Sequence, residues 1–227
     1  MRAYRLIADS GRVYVEPQRL SIVSEKDVLI RIKYALLTDV DYSIILKKVK
    51  RRILSLLALG RIVDRGVKVP KNVIGKSVIV GPKCNSLTYV IDIDGLASSY
   101  VSAPIECIQE ALVEDPYILI APCINKILLS IRATRKRGTC KNIKYVLSKE
   151  NILSKQWITW GFSPYPLNEN VHTYVSCLDA YLKYSIDPEF LSIVKEIIDC
   201  VFVEIEREDL VEILEKQLKE KLVFIVF

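Results

Sequence analysis

A single histidine, His172, and the lack of any Cys-x-x-Cys pair are the first shortages in this chain of 227 residues. Zinc ribbons and redox dithiols need paired cysteines, so neither is supported. The six cysteines, Cys84, Cys107, Cys123, Cys140, Cys177 and Cys200, are scattered. They are expected as small buried hydrophobes in a reducing compartment. His172 lies beside aromatic and β-branched residues and is expected to be structural rather than catalytic. No apolar run approaches the roughly 18 residues that span a bilayer. The longest, such as Ile53–Leu59, suit buried strands or helix faces. Met1 leads into strand-like sequence without the basic, apolar and small-residue succession of a signal peptide, so a cytoplasmic protein is expected.

What is present belongs to an ordered protein. Hydrophobic residues make up 51% of the chain and charged residues 26%, enough for one large domain or two small ones with a real core. The net charge of +6 is concentrated in two clusters. Lys47, Lys48, Lys50, Arg51 and Arg52 form one; Arg132, Arg135, Lys136, Arg137, Lys141 and Lys144 form the other. Such clusters can hold phosphates, and Lys47, Lys48, Arg51 and Arg52 mark a nucleic-acid surface as one alternative. No nucleic-acid motif accompanies them.

The first third reads as strands with turns. Val28, Ile30, Ile32 and Tyr34 alternate with Leu29, Arg31 and Lys33, the period of a half-buried strand. Ile62–Val69, Ser77–Val80 and Ala97–Ala103 are further strands, and Gly60, Gly66, Gly75 and Gly81 punctuate them. Beyond about Ser98 helical spacing enters, over Ile118–Arg132 and Glu189–Ile198. Asp187-Pro188 supplies an N-cap with proline at the first helical position of the second. Cys200–Ile205 is a strand, Arg207–Lys221 an amphipathic helix with Leu210, Val211, Leu214 and Leu218 on one face, and Leu222–Phe227 a final apolar strand. That strand, helix, strand order argues for a parallel sheet.

Several segments, in order, resemble the medium-chain dehydrogenase/reductase family of zinc alcohol dehydrogenases. Glu25–Ala35 is similar to the start of the family's GroES-like domain. Gly60-x-Ile-Val-x-x-Gly66 and Ile74–Val80 resemble its Gly-Val-Val-x-x-Val-Gly and Val-Gly-Asp-Arg-Val segments. Asp94-Gly95-Leu96-Ala97-Ser98-Ser99-Tyr100-Val101 resembles Gly-Gly-Phe-Ala-Glu-Tyr-Val, and Ile120-Ala121-Pro122 stands where the family has Leu-Glu-Pro. The resemblance covers about the first 130 residues and implies an α/β fold. Residues 1–130 would be a GroES-like β domain, and 131–227 an abbreviated Rossmann-like parallel sheet.

The resemblance stops short of the family's chemistry. A catalytic zinc needs three protein ligands and an open position from which to polarise an alcohol or carbonyl oxygen. The family's Cys-Gly-x-Asp reads Thr38-Asp39-Val40-Asp41 here, and its Gly-His-Glu reads Ser55-Leu56-Leu57. Ala121 replaces the Glu of the Glu-Pro pair. No zinc is therefore expected. A pyrophosphate bound at a helix N-terminus needs glycines that let the backbone approach it. The corresponding turn reads Ser148-Lys149-Glu150-Asn151-Ile152-Leu153, and Trp157–Phe162 offers no acid for a ribose. No cofactor is expected. Thr38, Asp41 and Leu56 are the residual cleft candidates, and no catalytic residue is assigned.

Asp199–Phe227 resembles the fourth strand, helix and fifth strand of the family's nucleotide domain, with no segment returning to the first half. The last strand would then be an uncovered edge, so a homodimer or partner protein is expected to pair along Leu222, Phe224 and Val226. Three functional readings stand open. One is a non-catalytic, alcohol-dehydrogenase-like binding protein. The second is a zinc-independent NAD(P)-dependent oxidoreductase of the quinone-reductase kind, and the third a basic nucleic-acid-binding module.

Overall fold

The computed structural model describes residues 3–19, 23–120, 191–192, 194–195, 200–218 and 222–227. The chain starts with a hairpin of β1 (Tyr4–Asp9) and β2 (Arg12–Pro17). Its two-residue turn puts Ser10 at φ 52° and Gly11 at φ 87°, the positive dihedrals that match the right-handed twist of the flanking strands. β3 (Asp27–Leu37) is the longest strand, with Val28, Ile30 and Ile32 buried and Arg31 and Lys33 exposed, as their alternation predicts. Helix α1 (Asp39–Leu46) follows, then β4 (Arg52–Ile53), which pairs with β1.

β5 (Leu57–Arg65), β6 (Ser77–Val80), β7 (Lys83–Cys84), β8 (Leu87–Thr88), β9 (Tyr100–Pro104) and β10 (Ile108–Glu110) complete the first half. Later in the chain come β11 (Cys200–Glu204), α2 (Leu210–Gln217) and β12 (Leu222–Val226). The main sheet has seven strands: its path runs β10-β6-β5-β3-β12-β11, and β9 also pairs with β3. Gly60 lies where β5 crosses β3, beside a register shift between Ile32 and Tyr34. A Cβ there would sit 2.4 Å from the Arg31 carbonyl oxygen, so only glycine allows the approach.

The expected uncovered edge at the chain's end does not exist. β12 lies between β3, antiparallel on one side, and β11, parallel on the other. Leu222, Val223, Phe224 and Ile225 are buried. A continuous apolar run is what a strand covered on both faces requires; the same run without its sheet partners reads as an edge. Leu222, Phe224 and Val226 therefore offer no free strand edge to a second chain. β11 and β12 thus join the sheet built by the first half of the chain. The basic cluster at 132–144, the 148–153 turn and His172 lie outside the described residues, and of the expected helix Glu189–Ile198 the described residues 191–192 and 194–195 are helical.

A second correction concerns cysteine. Cys84 at the end of β7 and Cys107, just before β10, form a disulfide, their Cα atoms 4.9 Å apart across a sequence separation of 23. Buried Cys84 was expected as a free thiol. Cys200 is half-buried at the start of β11, and the remaining three cysteines lie outside the described residues. Among the described residues no helix is long and apolar enough to cross a membrane.

Candidate site at the start of helix α1

Thr38 follows β3 directly and caps α1, a helix that the sequence pattern did not announce. Its hydroxyl accepts the Val40 N–H at 3.2 Å. The Asp41 carboxylate reaches back, and Oδ2 accepts the Thr38 N–H at 2.8 Å. Together these form a reciprocal capping box, with Asp in place of the usual Glu or Gln. Each satisfies one of the helix's otherwise orphaned amide donors.

Asp41 is committed at its other oxygen too. Oδ1 accepts the Ser55 N–H at 2.6 Å, joining α1 to a segment 14 residues on. Ser55 has φ 76°, a left-handed conformation, and its hydroxyl donates to the Leu57 carbonyl oxygen at 2.8 Å. It stands where the resembling family has glycine, which explains that family's choice and is the signal that could have marked Ser55. Leu56 beside it is wholly buried, and Gly81 packs so closely that a Cβ would lie 2.0 Å from the Leu56 carbonyl oxygen.

The structure brings Thr38 and Asp41 together with Ser55, which sequence reasoning missed. It does not leave them lining an open cleft. Thr38 is 1% exposed, and Asp41 and Leu56 are 0%. Where a metal would need a thiolate and an imidazole there are a capping hydroxyl and an isobutyl group in the core. Among the described residues no three His, Cys, Asp or Glu side chains gather as metal ligands. These residues do not fit a catalytic zinc; Ala121 lies outside the described residues.

Burial pushes the Asp41 carboxyl up to about 6, against the lowering effect of the Ser55 and Thr38 donors. Between the ordinary 3.8 and about 6 the folded protein therefore binds more protons than the unfolded chain. Stability contributed by this group is present below about pH 4 and is lost as the pH rises through about 6. Glu114, pulled down to about 2 by the Ser77 hydroxyl and then Arg61, acts oppositely at lower pH, losing its contribution as the pH falls below about 4.5. Asp41→Asn is expected to flatten the slope between pH 4 and 6 in urea melts. It is also expected to cost about 2 kcal/mol, because the amide nitrogen takes the place of one acceptor oxygen and leaves that N–H unpaired. The hydroxyl oxygen of a protonated carboxyl keeps lone pairs that can accept, so the neutral acid and the amide are not equivalent here. An unchanged slope in the variant would show that another group carries it.

The first basic cluster is partly neutralised. The Arg51 guanidinium pairs with Glu16, and the Arg51 backbone N–H donates to Asp9 Oδ1 at 3.1 Å. Arg52 is half-buried in β4, leaving Lys47, Lys48 and Lys50 on the exposed turn after α1.

No protein-family model matches the sequence, and no curated protein matches it. Solved structures do. A short chain alcohol dehydrogenase from E. coli CFT073, complexed with NADH, aligns over 100% of this chain and 99% of its own, at 12% identity and a TM-score of 0.59. TarJ from S. aureus, in complex with NADPH, aligns over the same shares at 13% identity and 0.59. Against ECK1772, an oxidoreductase/dehydrogenase of unknown specificity from Escherichia coli, this chain spans 48% of the other's length and the alignment covers 58% of its own, at 15% identity and 0.46. The fold is α/β and is like that of these solved dehydrogenases, as the ordered segments implied.

Proposed function

We propose that this chain is a non-catalytic member of the alcohol-dehydrogenase-like fold, acting by binding a partner protein or a small ligand. One observation carries the reading: the Thr38–Asp41–Ser55 network and buried Leu56 fill the positions from which a catalytic zinc would work. Both Asp41 oxygens already accept backbone N–H groups, so moving either to a metal would leave a buried donor unpaired. Protein dialysed against a mild chelator is expected to hold no zinc above trace by elemental analysis. A stoichiometric zinc would overturn the reading.

A second reading, a zinc-independent NAD(P)-dependent oxidoreductase, is favoured by the end-to-end likeness to dehydrogenases complexed with NADH and NADPH. The two readings part on cofactor binding. The proposal also places the protein in the cytoplasm. The Cys84–Cys107 bridge speaks against that for a mesophilic host, whose cytosol keeps thiols reduced, and for a hyperthermophilic host it does not. Alkylation of protein taken from its own host, before and after reduction, decides whether the bridge is formed there.

A further inference from the structure

Arg31 of β3 and Arg61 of β5 stand directly opposite each other in the antiparallel register, and Ser77 of β6 stands opposite Arg61. Residues paired in this way send their side chains from the same face of a sheet, with Cβ atoms about 5 Å apart. Two guanidinium groups so placed repel, and the pairing is unfavourable unless an anion offsets it. Lys33, at the register shift between Ile32 and Tyr34, adds a third cation to this face. Its Nζ lies 3.8 Å from the Glu114 carboxylate, which also pairs with the Arg61 guanidinium and accepts the Ser77 hydroxyl. The charged ends of Lys33 and Arg61 therefore converge on one point. Arg31 forms no ion pair among the described residues.

Arg31, Lys33, Arg61, Ser77 and Glu114 line one cavity of about 350 Å³. Three cations meet one carboxylate there, an excess of two positive charges. Glu204 and Glu206 belong to a neighbouring cavity that shares Arg31, and neither forms an ion pair with it. An excess of two is matched by a dianion, whereas a carboxylate or a phosphodiester brings only one charge. We propose that this cavity binds a dianionic phosphate group, as the free ion or as the end of a phosphomonoester. Its oxygens would accept from the Arg31 guanidinium and the Lys33 ammonium, beside the Glu114 carboxylate. Glu114 opposes the ligand by its own charge and so keeps the affinity low. The volume falls within the roughly 300–1,000 Å³ of small-ligand pockets, which leaves room for the organic part of a phosphomonoester.

Amide chemical-shift titration of the full, isotope-labelled chain at fixed ionic strength tests the assignment, with inorganic phosphate and glycerol 3-phosphate as probes. Acetate and dimethyl phosphate are the monoanionic controls. Phosphate is expected to bind at about 5 mM, and each control at least about tenfold more weakly. The shifted amides are expected at residues 31–33 and 59–61. Tighter binding of glycerol 3-phosphate assigns the site to phosphomonoesters, and equal binding assigns it to the ion itself. Arg31→Gln is expected to weaken phosphate about tenfold, and Glu114→Gln, which removes the opposing charge, to strengthen it about tenfold. Both side chains are exposed, so neither change empties the core. No saturable shift at up to about 50 mM phosphate, or controls that bind equally, overturns the proposal. So do shifts at residues 47–52 instead, unchanged affinity in Arg31→Gln, or weaker binding in Glu114→Gln. Zinc content bears on none of these results, so this proposal and the non-catalytic reading can fail separately.

Discussion

Phe224→Ala is expected to cost about 4 kcal/mol of folding stability, the range for emptying a phenylalanine site in a packed core. Phe224 is wholly buried in β12 between β3 and β11. Its ring stacks on Phe202 at 5.0 Å between centroids and meets Tyr117 at 5.9 Å. Alanine would remove contacts from strand neighbours on both sides, and a sheet interior held on both edges cannot collapse to fill the gap. Phe224→Lys goes further, burying an unpaired ammonium, and is expected to prevent folding altogether in a protein of ordinary stability. A strand at a dimer edge predicts the opposite, a soluble folded monomer. Circular dichroism and urea titration of the two variants separate the cases. A stably folded lysine variant would mean that β12 does not lie where the structure puts it.

Loss of the Cys84–Cys107 bridge is expected to cost about 3 kcal/mol, from the chain entropy that a closed loop of this length removes from the unfolded state. The bridge ties the β7–β8 hairpin to the turn that leads into β10, the outer strand of the main sheet's β6 side. Among the described residues the short strands β7 and β8 pair only with each other. For a chain of this size the expected drop in melting temperature on reduction is about 10 °C. Cys84→Ser/Cys107→Ser should reproduce it, and reductant should then have no further effect. A melting temperature indifferent to reductant would show that the bridge adds nothing to stability.

The strands were legible because their period is short and their burial one-sided or complete. β3, β6, β11 and β12 fall close to where alternation or apolar runs place them. Their neighbours were not legible. A period of two says which face a residue takes and nothing about which strand lies alongside, so β12 could be read as an edge when it is central. Helix α1 escaped because Asp39–Leu46 is short and its capping acid is an aspartate rather than Glu or Gln. In the candidate site, Thr38, Asp41 and Leu56 were found through the family's motif order, but their burial was not. Asp41 meets Ser55 across 14 residues, and Cys84 meets Cys107 across 23. Such distances follow from the sheet's topology, which no local spacing encodes.

The claim that this fold carries no dehydrogenase chemistry is tested most directly by calorimetric titration of the full chain with NADPH and, separately, with NADH. Hydride transfer needs one of them bound. The account predicts no saturable heat for either at concentrations up to about 1 mM. A micromolar dissociation constant for either cofactor would contradict it and establish the zinc-independent oxidoreductase instead.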